Sequence, residues 1–399
     1  MTASRTAVVT AKSSEPVWRG MTAHDASVLF AIETGVTYLN AASVGPLPST
    51  TRAALNVMYD VGVRQPWRTD DLLALAFEKS RRLAAELIDA PVEDVMYAYN
   101  TGHGVNIAAF GLPFERGDEI LLSAVDFPSN VYPWLALREQ GVKVTLVPAV
   151  NGRFSFDELV KALTPRVKAI AVSFVQFHDG YKLPLERIHD LAKSAGAFFV
   201  VDGIQGCGVE PISVRELGID IFTAGAQKWL LSPLGIGIVS VSESVRGVMR
   251  PVARGWLSAE WADFFDLFQY DKTLFPDARR FSFGTAPAAH LAALAESLEL
   301  LVCVGVENIQ RHTHTLIDQL VSGLFGDRRL RVTSEMSREA RSSIFTFTCD
   351  DYIRLHEALL AARVICVRRE GSIRIAPHLY NTSEDIGRVV EITRSFLAH

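Results

Sequence analysis

The sequence predicts an α/β protein, in which a mostly parallel sheet with helices on both faces is followed by a smaller C-terminal α+β domain. Two observations predict this fold. Between residues 95 and 240, short apolar runs rich in β-branched residues alternate with helical stretches. Beyond residue 286, shorter strand and helix patterns alternate again. We therefore divide the chain into an N-terminal extension (1–35), a large domain (36–285) and a small C-terminal domain (286–399).

The composition argues against several classes of function. The chain has 399 residues, of which 49% are hydrophobic and 21% charged, and its net charge is −5. Because basic residues are not in excess, we expect neither nucleic acid nor a membrane as a partner. No apolar run approaches the ~20 residues that span a bilayer, and the N-terminus lacks the apolar core of a secretory signal. The four cysteines form no CxxC pair, which argues against a metal site and favours a cytoplasmic location.

The first elements of the large domain follow this alternation. They are a strand at 36–40, a turn of small residues and prolines at 41–48, helices at 49–61 and 69–87, and a strand at 95–99. The small-residue turn Asn100-Thr101-Gly102-His103 then opens a helix that runs to about residue 110. Such a turn presents unpaired backbone N–H groups at the positive end of a helix dipole. It therefore predicts a cradle for a phosphate group.

The middle of the large domain continues the pattern. The predicted strands are 119–123, 142–147 and 169–175, and the predicted helices are 156–163 and 185–195. Phe127 follows the first of these strands, and Gln176 follows the third. Ligands of open α/β sheets bind at the carboxyl ends of the strands. The glycine turn at Gly102 also follows a strand, so we place the phosphate cradle at this edge of the sheet.

The most informative stretch runs from residue 198 to 237. It contains two short strands, 198–201 and 219–223. Asp202 ends the first strand, Gln205 lies one turn further on, and Lys228 follows the second strand among small residues. An acid and a lysine in this order are typical of a pyridoxal phosphate site, because the lysine forms a Schiff base with the cofactor aldehyde and the acid keeps the ring nitrogen protonated. We therefore predict pyridoxal 5′-phosphate as cofactor, with Lys228 and Asp202 as the catalytic residues.

Several segments resemble those of class V aminotransferases, the group of cysteine desulfurases, selenocysteine lyases, kynureninases and isopenicillin-N-epimerase-like proteins. Residues 201–205 (VDGIQ) resemble the family's VDGAQ, and residues 227–237 (QKWLLSPLGIG) resemble its HKLYGPxGxG. Residues 280–287 (RFSFGTAP) resemble RFExGTP, and residues 371–382 (GSIRIAPHLYNT) resemble GxIRxSxHxYNT. The resemblance extends from about residue 36 to 381. It implies fold type I of the pyridoxal phosphate-dependent transferases, with a sheet of the seven-stranded type.

The resemblance also implies which residues hold the cofactor. These are Gly102 and His103 at the phosphate, Phe127 on the face of the ring, Gln176 near the ring hydroxyl, Gln205 beside Asp202, Gln227 next to Lys228, and Thr285. In the family, the segment around Thr285 crosses a dimer interface and its threonine reaches the phosphate of the partner subunit. We therefore expect a homodimer with composite active sites.

On the substrate side, the resemblance points to Arg374 and Asn40. A guanidinium group matches a carboxylate with two parallel hydrogen bonds, so Arg374 is the candidate for the α-carboxylate of a small amino-acid substrate. Asn40 precedes the turn that faces the substrate in the family. Further candidates for the lining of the substrate pocket are Trp67, Arg68, Trp256 and Arg369.

The sequence departs from the desulfurase pattern at four points. Phe127 replaces a titratable histidine above the ring, and Gly225 and Gln227 replace a serine and a histidine near the lysine. The loop that carries the persulfide-forming cysteine of desulfurases is too short here. Cys366 falls instead in an apolar strand pattern, where a buried cysteine is usually inert. We therefore rank a cysteine desulfurase low.

These observations predict a pyridoxal phosphate-dependent enzyme that acts at the α-carbon of an amino acid, by transamination. Two alternatives use the same scaffold, a β-eliminating C–S or C–Se lyase and an amino-acid epimerase, because the reaction paths diverge only after the α-carbon has lost its proton. An alternative of another class is a non-catalytic protein that binds pyridoxal phosphate or an amino acid.

Overall fold

The structure, a computed structural model, describes residues 20–261, 267–324 and 326–398. Most of the predicted N-terminal extension, residues 1–19, therefore lies outside the described residues. Of its remaining part, residues 23–27 form a short helix that begins at the capping residue Thr22. The predicted division into domains stays a prediction.

A seven-stranded sheet forms the centre of the molecule. The strands of the whole chain are β1 (Thr37–Tyr38), β2 (Val95–Ala98), β3 (Glu119–Ser123), β4 (Lys143–Val147), β5 (Val167–Ser173), β6 (Phe198–Asp202), β7 (Ile221–Gly225), β8 (Gly237–Val241), β9 (Arg331–Val332), β10 (Phe345–Thr348), β11 (Val364–Ile365), β12 (Val367–Arg369) and β13 (Ser372–Ile375). The central sheet has the order β2-β8-β7-β6-β5-β3-β4. All neighbours are parallel except β8, which is antiparallel to β2 and β7. The predicted α/β fold with a mostly parallel sheet is confirmed.

Helices cover the sheet and explain why its strands are so apolar. They are α1 (Ala23–Ser27), α2 (Ser49–Arg64), α3 (Thr69–Leu87), α4 (Thr101–Gly111), α5 (Tyr132–Ala136), α6 (Phe156–Ala162), α7 (Leu185–Ala195), α8 (Glu243–Arg246), α9 (Ala288–Val304), α10 (Val306–Leu324), α11 (Tyr352–Ala361) and α12 (Ser383–Leu397). Every residue of β2, β3, β7 and β8 is buried. A strand that is buried on both faces requires a continuous apolar run, which is the pattern that the sequence carries.

A second sheet lies in the C-terminal part of the chain. Its four antiparallel strands have the order β12-β13-β10-β9, and Phe345, Phe347 and Ile375 belong to the hydrophobic cluster beneath it. Strand β1 joins this part of the molecule, because Thr37 and Tyr38 pair in parallel with Val364 and Ile365 of β11. Strands β1 and β11 form a separate two-stranded sheet, and the segment after β1 runs from there to the carboxyl edge of the central sheet.

Glu210 fastens the C-terminal part to the loop that follows β6. One carboxylate oxygen accepts hydrogen bonds from the backbone N and the hydroxyl of Ser343, both at 2.8 Å, and from His314 at 3.2 Å. The other oxygen accepts one from Gln310 at 2.6 Å. Glu210 is buried, and burial alone would raise its pKa, but these hydrogen bonds and the charges of His314 and Lys182 lower the pKa below its usual value of 4.5. The carboxylate thus remains ionised and holds both parts together.

Within the described residues, no single helix has the length and apolar character needed to cross a membrane. In the same part of the chain, the consecutive helices α9 and α10 meet that test as a pair, and they are bent by 75° relative to each other.

Candidate active site

A cavity of about 310 Å³ lies at the carboxyl edge of the central sheet. Its walls come from the residues that follow β2, β3, β5, β6 and β7, and from the hairpin of β12 and β13. They include Gly102, Phe127, Phe177, Asp202, Gln205, Gln227, Lys228, Arg369 and Arg374. Segments that lie far apart in the sequence meet here because parallel strands deliver their carboxyl ends to one edge.

Lys228 and Asp202 line this cavity together, and their protonation states are coupled. Burial lowers the pKa of Lys228 to about 8, with Asp202 opposing the shift and Arg374 and Arg369 adding to it. Burial raises the pKa of Asp202 to about 6, while the backbone N–H of Ile204, at 3.0 Å, and the charge of Lys228 limit that rise. The site thus holds a lysine with a substantial neutral fraction near physiological pH and a carboxylate that favours a cationic partner.

The loop that carries Lys228 is fixed by a segment from the N-terminal part of the chain. The backbone N of Gly45 donates a hydrogen bond to the carbonyl of Gln227 at 2.8 Å. A Cβ atom at position 45 would lie 2.2 Å from the carbonyl oxygen of Lys228. Only glycine therefore allows the two backbones to approach this closely.

Trp229 and Gln205 connect the lysine loop to the acid. Trp229 Nε1 donates to Gln205 Oε1 at 3.1 Å, and Gln205 Nε2 donates to the carbonyl of Ala42 at 3.2 Å. His378 completes the arrangement, since its Nδ1 accepts from the backbone N of Leu379 at 2.7 Å and its Nε2 donates to the carbonyl of Trp229 at 3.0 Å. Burial lowers the pKa of His378 to about 4, so this imidazole is neutral and holds one tautomer.

The start of α4 forms the predicted phosphate cradle. Asn100 caps the helix, because its Oδ1 accepts from the backbone N of His103 at 2.9 Å. The preceding N–H groups, at Thr101 and Gly102, belong to the first helical turn and have no acceptor within the helix. Asn100, Thr101 and Gly102 all line the cavity. The cradle therefore offers backbone donors and the positive end of a helix dipole.

The structure does not bring His103 into this cavity. Its Nδ1 accepts a hydrogen bond from the backbone N of Tyr99 at 3.2 Å, and its ring packs against Phe283 with a centroid distance of 4.7 Å. Burial lowers the pKa of His103 to about 4. The ring is therefore neutral and held by aromatic neighbours, and its role at the phosphate stays a prediction.

Phe127 lines the cavity beside the lysine. The centre of its ring lies 5.5 Å from Lys228 Nζ, and the ring packs edge to face against Phe177 with a centroid distance of 5.2 Å. Asp126, directly before it, is buried and accepts a hydrogen bond from Asn130 at 2.9 Å. Burial raises the pKa of Asp126 to about 7. The ring face is thus held by a neighbouring aromatic side chain and by a buried polar turn.

Arg374 reaches the cavity from β13. Its Nη1 donates to the carbonyl of Phe177 at 2.6 Å, and its Nη2 donates to Ser43 Oγ at 2.8 Å. Burial, with a further contribution from Arg369, lowers the pKa of Arg374 to about 9, so the guanidinium is still cationic at neutral pH. Nε is buried and, among the described residues, has no hydrogen-bond partner. The sequence analysis missed Ser43 and Phe177. A serine hydroxyl or a backbone carbonyl can accept a hydrogen bond at many positions, so residue type alone does not predict these contacts with Arg374.

Three other predicted residues lie outside the cavity. The side chain of Gln176 is buried and accepts from the backbone N of Phe154 at 3.3 Å, so its neighbour Phe177 lines the cavity instead. Asn40 forms a bridge with Ala376 beside the C-terminal sheet. Thr285 is exposed on the surface of the chain. Of the further candidates, Arg369 lines the cavity, whereas Trp67, Arg68 and Trp256 do not.

The residues present fit pyridoxal phosphate. An amine for the aldehyde, a buried carboxylate for the ring nitrogen, an aromatic face and an anion-binding helix start all border one cavity of suitable size. No cysteine lines the cavity in the described part of the chain. Cys366 is buried elsewhere, and burial raises the pKa of its thiol to about 12. Among the same residues, no group of three or more His, Cys, Asp or Glu side chains could hold a metal ion.

This chain matches one protein family and is similar to several known proteins. The family model for aminotransferase class V matches residues 38–389. An uncharacterized aminotransferase, YcbU of Bacillus subtilis (strain 168), is 26% identical over 314 residues, covering 79% of this chain and 82% of the relative. A probable cysteine desulfurase of Methanothermobacter thermautotrophicus is 26% identical over 371 residues, covering 88% of this chain and 92% of the relative.

Several solved structures have the same fold as this chain. The apo cysteine desulfurase of Thermococcus onnurineus superposes with a TM-score of 0.83 at 21% identity, covering 94% of this chain and 98% of that structure. The cystine C–S lyase C-DES, solved with cysteine persulfide, superposes with a TM-score of 0.81 at 21% identity, covering 90% and 98%. Because the family model matches nearly the whole chain, this protein belongs to the class V aminotransferase family and is a pyridoxal phosphate-dependent enzyme.

Proposed function

We propose that this enzyme transaminates an α-amino acid. The observation that carries the proposal is that Lys228, Asp202 and Arg374 line the same cavity. Bound pyridoxal phosphate supplies an electron sink that stabilises negative charge at the substrate α-carbon. The chain's own residues decide what happens around that carbon.

Arg374 holds the substrate by its α-carboxylate. Its guanidinium is fixed by Phe177 and Ser43 on one side, and a planar fork of donors matches a carboxylate in orientation as well as charge. A substrate anchored in this way presents its α-carbon to the lysine in one orientation.

Lys228 removes the proton from the α-carbon of the substrate. Its lowered pKa, about 8, gives a neutral amine that accepts the proton from the α-carbon near physiological pH. Apart from Asp202, which is assigned to the ring nitrogen, the described residues that line the cavity include no other group that titrates near neutrality. One base that removes and returns a proton on one side is sufficient for transamination. Epimerisation would use a second proton donor on the opposite side, and none lines the cavity among the described residues, so we place epimerisation below transamination.

A second candidate is β-elimination at a C–S bond. Relatives described as probable cysteine desulfurases favour it. Cys366, however, is buried away from the cavity, so a sulfur product of this enzyme leaves without being carried by that thiol. The alternative of a non-catalytic binding protein is set aside, because the family is one of enzymes.

The two candidates differ in their products. The loaded enzyme is incubated with a panel of amino acids, and pyridoxamine phosphate with the matching oxoacid is measured against pyruvate, ammonia and sulfide. Pyridoxamine phosphate formed in step with the oxoacid supports transamination. Pyruvate and sulfide from cysteine, without pyridoxamine phosphate, support elimination. Turnover that persists in Lys228→Ala contradicts both candidates.

We further propose a homodimer with composite active sites. The exposure of Thr285, in a segment resembling one that crosses the dimer interface in the family, supports this arrangement. Sedimentation of the purified protein tests the oligomeric state. Thr285→Val should weaken cofactor binding in a dimer without affecting the mass of the assembly. A monomer with full activity contradicts this proposal.

A further inference from the structure

A second arginine, Arg369, shares the cavity with Arg374. Arg369 is the last residue of β12, and β13 begins at Ser372. The two residues between them, Glu370 and Gly371, both have positive φ angles, of 42° and 78°. These angles are typical of a tight two-residue hairpin turn. The position of Arg369 is therefore set by the hairpin and not by a long loop.

The register of this hairpin puts both arginines on one face of the sheet. Val367 lies directly opposite Arg374, and Arg369 lies opposite Ser372. Directly paired residues share a face, and residues two apart along a strand share a face as well. Arg369 is thus the diagonal neighbour of Arg374. Arg368, between Val367 and Arg369, belongs to the opposite face and is exposed.

The charge in this corner of the cavity is not balanced by acids. Asp202 is the only acidic residue that lines the cavity among the described residues. It interacts with Lys228 and would pair with the ring nitrogen of the cofactor. Within the same residues, neither Arg369 nor Arg374 lies within 4 Å of a carboxylate. The Arg369 guanidinium donates a hydrogen bond of 3.1 Å to the backbone carbonyl of Arg368.

Two guanidinium groups at diagonal positions favour a ligand with two anionic groups. The α-carboxylate of an amino acid neutralises Arg374 and leaves Arg369 without a counter-charge. The cofactor phosphate is assigned to the start of α4. A half-buried cation gains most from an anion that reaches it directly. The side chain of the substrate is the part that can provide one.

We propose that Arg369 binds a carboxylate at the end of the substrate side chain, so that acidic amino acids are the preferred substrates. This inference rests on the proposed function, because it assigns the α-carboxylate to Arg374. It names the substrate class, which the family alone does not determine.

The first test is binding without turnover. Succinate and glutarate are titrated into the holoenzyme by calorimetry, alongside propionate and butyrate as monocarboxylate controls. We expect the dicarboxylates to bind about 10- to 100-fold more tightly, the range of one charge-assisted contact. In Arg369→Gln this preference should disappear, and in Arg369→Lys it should be partly retained. Arg368→Gln is the matched control, because it removes a neighbouring arginine from the opposite face, and it should leave the preference intact.

The second test is kinetic. In Arg369→Gln, kcat/KM for aspartate and glutamate should fall by about 10- to 100-fold more than kcat/KM for alanine does, chiefly through KM. Cofactor affinity, measured by release of pyridoxal phosphate on dilution, should not change. These readouts separate binding of a side-chain carboxylate from a general structural effect.

The outcomes distinguish the two proposals. A dicarboxylate preference that depends on Arg369, in an enzyme that does not transaminate, supports this inference and contradicts the proposed function. If the enzyme transaminates neutral amino acids and binds mono- and dicarboxylates equally, the proposed function is supported and this inference is contradicted. If Arg369→Gln weakens both classes of ligand equally, Arg369 shares the α-carboxylate with Arg374 and the inference fails. Loss of cofactor in that variant also overturns it.

Discussion

Trp229 Nε1 donates a hydrogen bond of 3.1 Å to Oε1 of Gln205, so the residue after the site lysine holds the residue three positions after the site acid. Gln205 in turn donates to the carbonyl of Ala42, at the turn that borders the cavity. Three segments of the chain therefore meet at one amide group. The geometry of the lysine relative to the acid depends on that amide.

Trp229→Phe should destabilise the enzyme. The substitution keeps the aromatic volume but leaves the buried Gln205 oxygen without its donor, which costs about 1–3 kcal/mol. Urea unfolding measures the effect as a lower midpoint with an unchanged slope. Trp67→Phe is the control, since Trp67 is 75% exposed and makes no comparable contact. An unchanged midpoint in Trp229→Phe would mean that the Gln205 oxygen is satisfied in another way.

The rate at which the apoenzyme binds the cofactor should depend on the fraction of Lys228 that is deprotonated. The neutral amine is the reactive form, and its pKa is lowered from 10.5 to about 8. The rate of loading should therefore rise with pH and level off above about 8, which stopped-flow absorbance can follow. Asp202→Asn should move the midpoint to lower pH, because the Asp202 carboxylate stabilises the protonated amine. A rate that continues to rise towards pH 10 would contradict the lowered pKa.

Arg374→Lys should raise KM for the amino-acid substrate by about 10- to 100-fold, with a smaller effect on kcat. Lysine keeps the positive charge but lacks the fork of donors that fits a carboxylate, and a charge-assisted hydrogen bond has about this value. Steady-state kinetics measure the change. Arg368→Lys on the opposite face of the hairpin should have no effect. The assignment of the α-carboxylate fails if KM is the same in Arg374→Lys.

Glu210→Gln should loosen the attachment of the C-terminal sheet and lower the free energy of unfolding by about 1–3 kcal/mol. Since the pKa of Glu210 lies below 4.5 in the folded protein, its ionised form stabilises the fold above pH 4.5. That contribution is lost as the pH falls through the folded-state pKa. The difference in urea midpoint between wild type and Glu210→Gln should therefore be largest near neutrality and shrink below pH 4.5. A difference that grows on acidification would have the wrong sign.

Cys366→Ala should leave turnover of every substrate unchanged. The thiol is buried, does not line the cavity, and has a pKa raised to about 12 by burial, so it is not a nucleophile at neutral pH. The stability cost should stay below about 2 kcal/mol. Sulfide release from cysteine, measured for wild type and variant, is the decisive assay. If the variant folds but loses sulfur release, Cys366 carries sulfur in this enzyme.

The strands of the central sheet could be predicted closely because each is marked by a local pattern, an apolar run between two turns. The strand Glu119–Ser123 has the predicted bounds, since a strand buried on both faces is a continuous apolar run with turns at either end. The positions of Lys228 and Asp202 at one edge follow from topology, because consecutive parallel strands end on the same side.

Contacts made by the tertiary fold could not be predicted in the same way. Residues 364–367 carry one strand pattern, but the chain changes partner at Cys366, where β11 pairs with β1 and β12 pairs with β13. The hydropathy of these residues does not indicate that the chain pairs with a different strand on either side of Cys366. His103 follows a glycine turn as a phosphate ligand would, but Phe283, 180 positions away, packs against its ring.

The backbone contact between Gly45 and the loop that carries Lys228 bears on the order in which the chain folds during synthesis. Residues 37–45 contact that loop at one end and pair with Val364 and Ile365 at the other. A nascent chain therefore carries the complete central sheet for more than a hundred codons before the strand that anchors this segment has been made. Ribosome-bound chains that stop before residue 364 therefore lack the strand that holds the segment packed against the lysine loop.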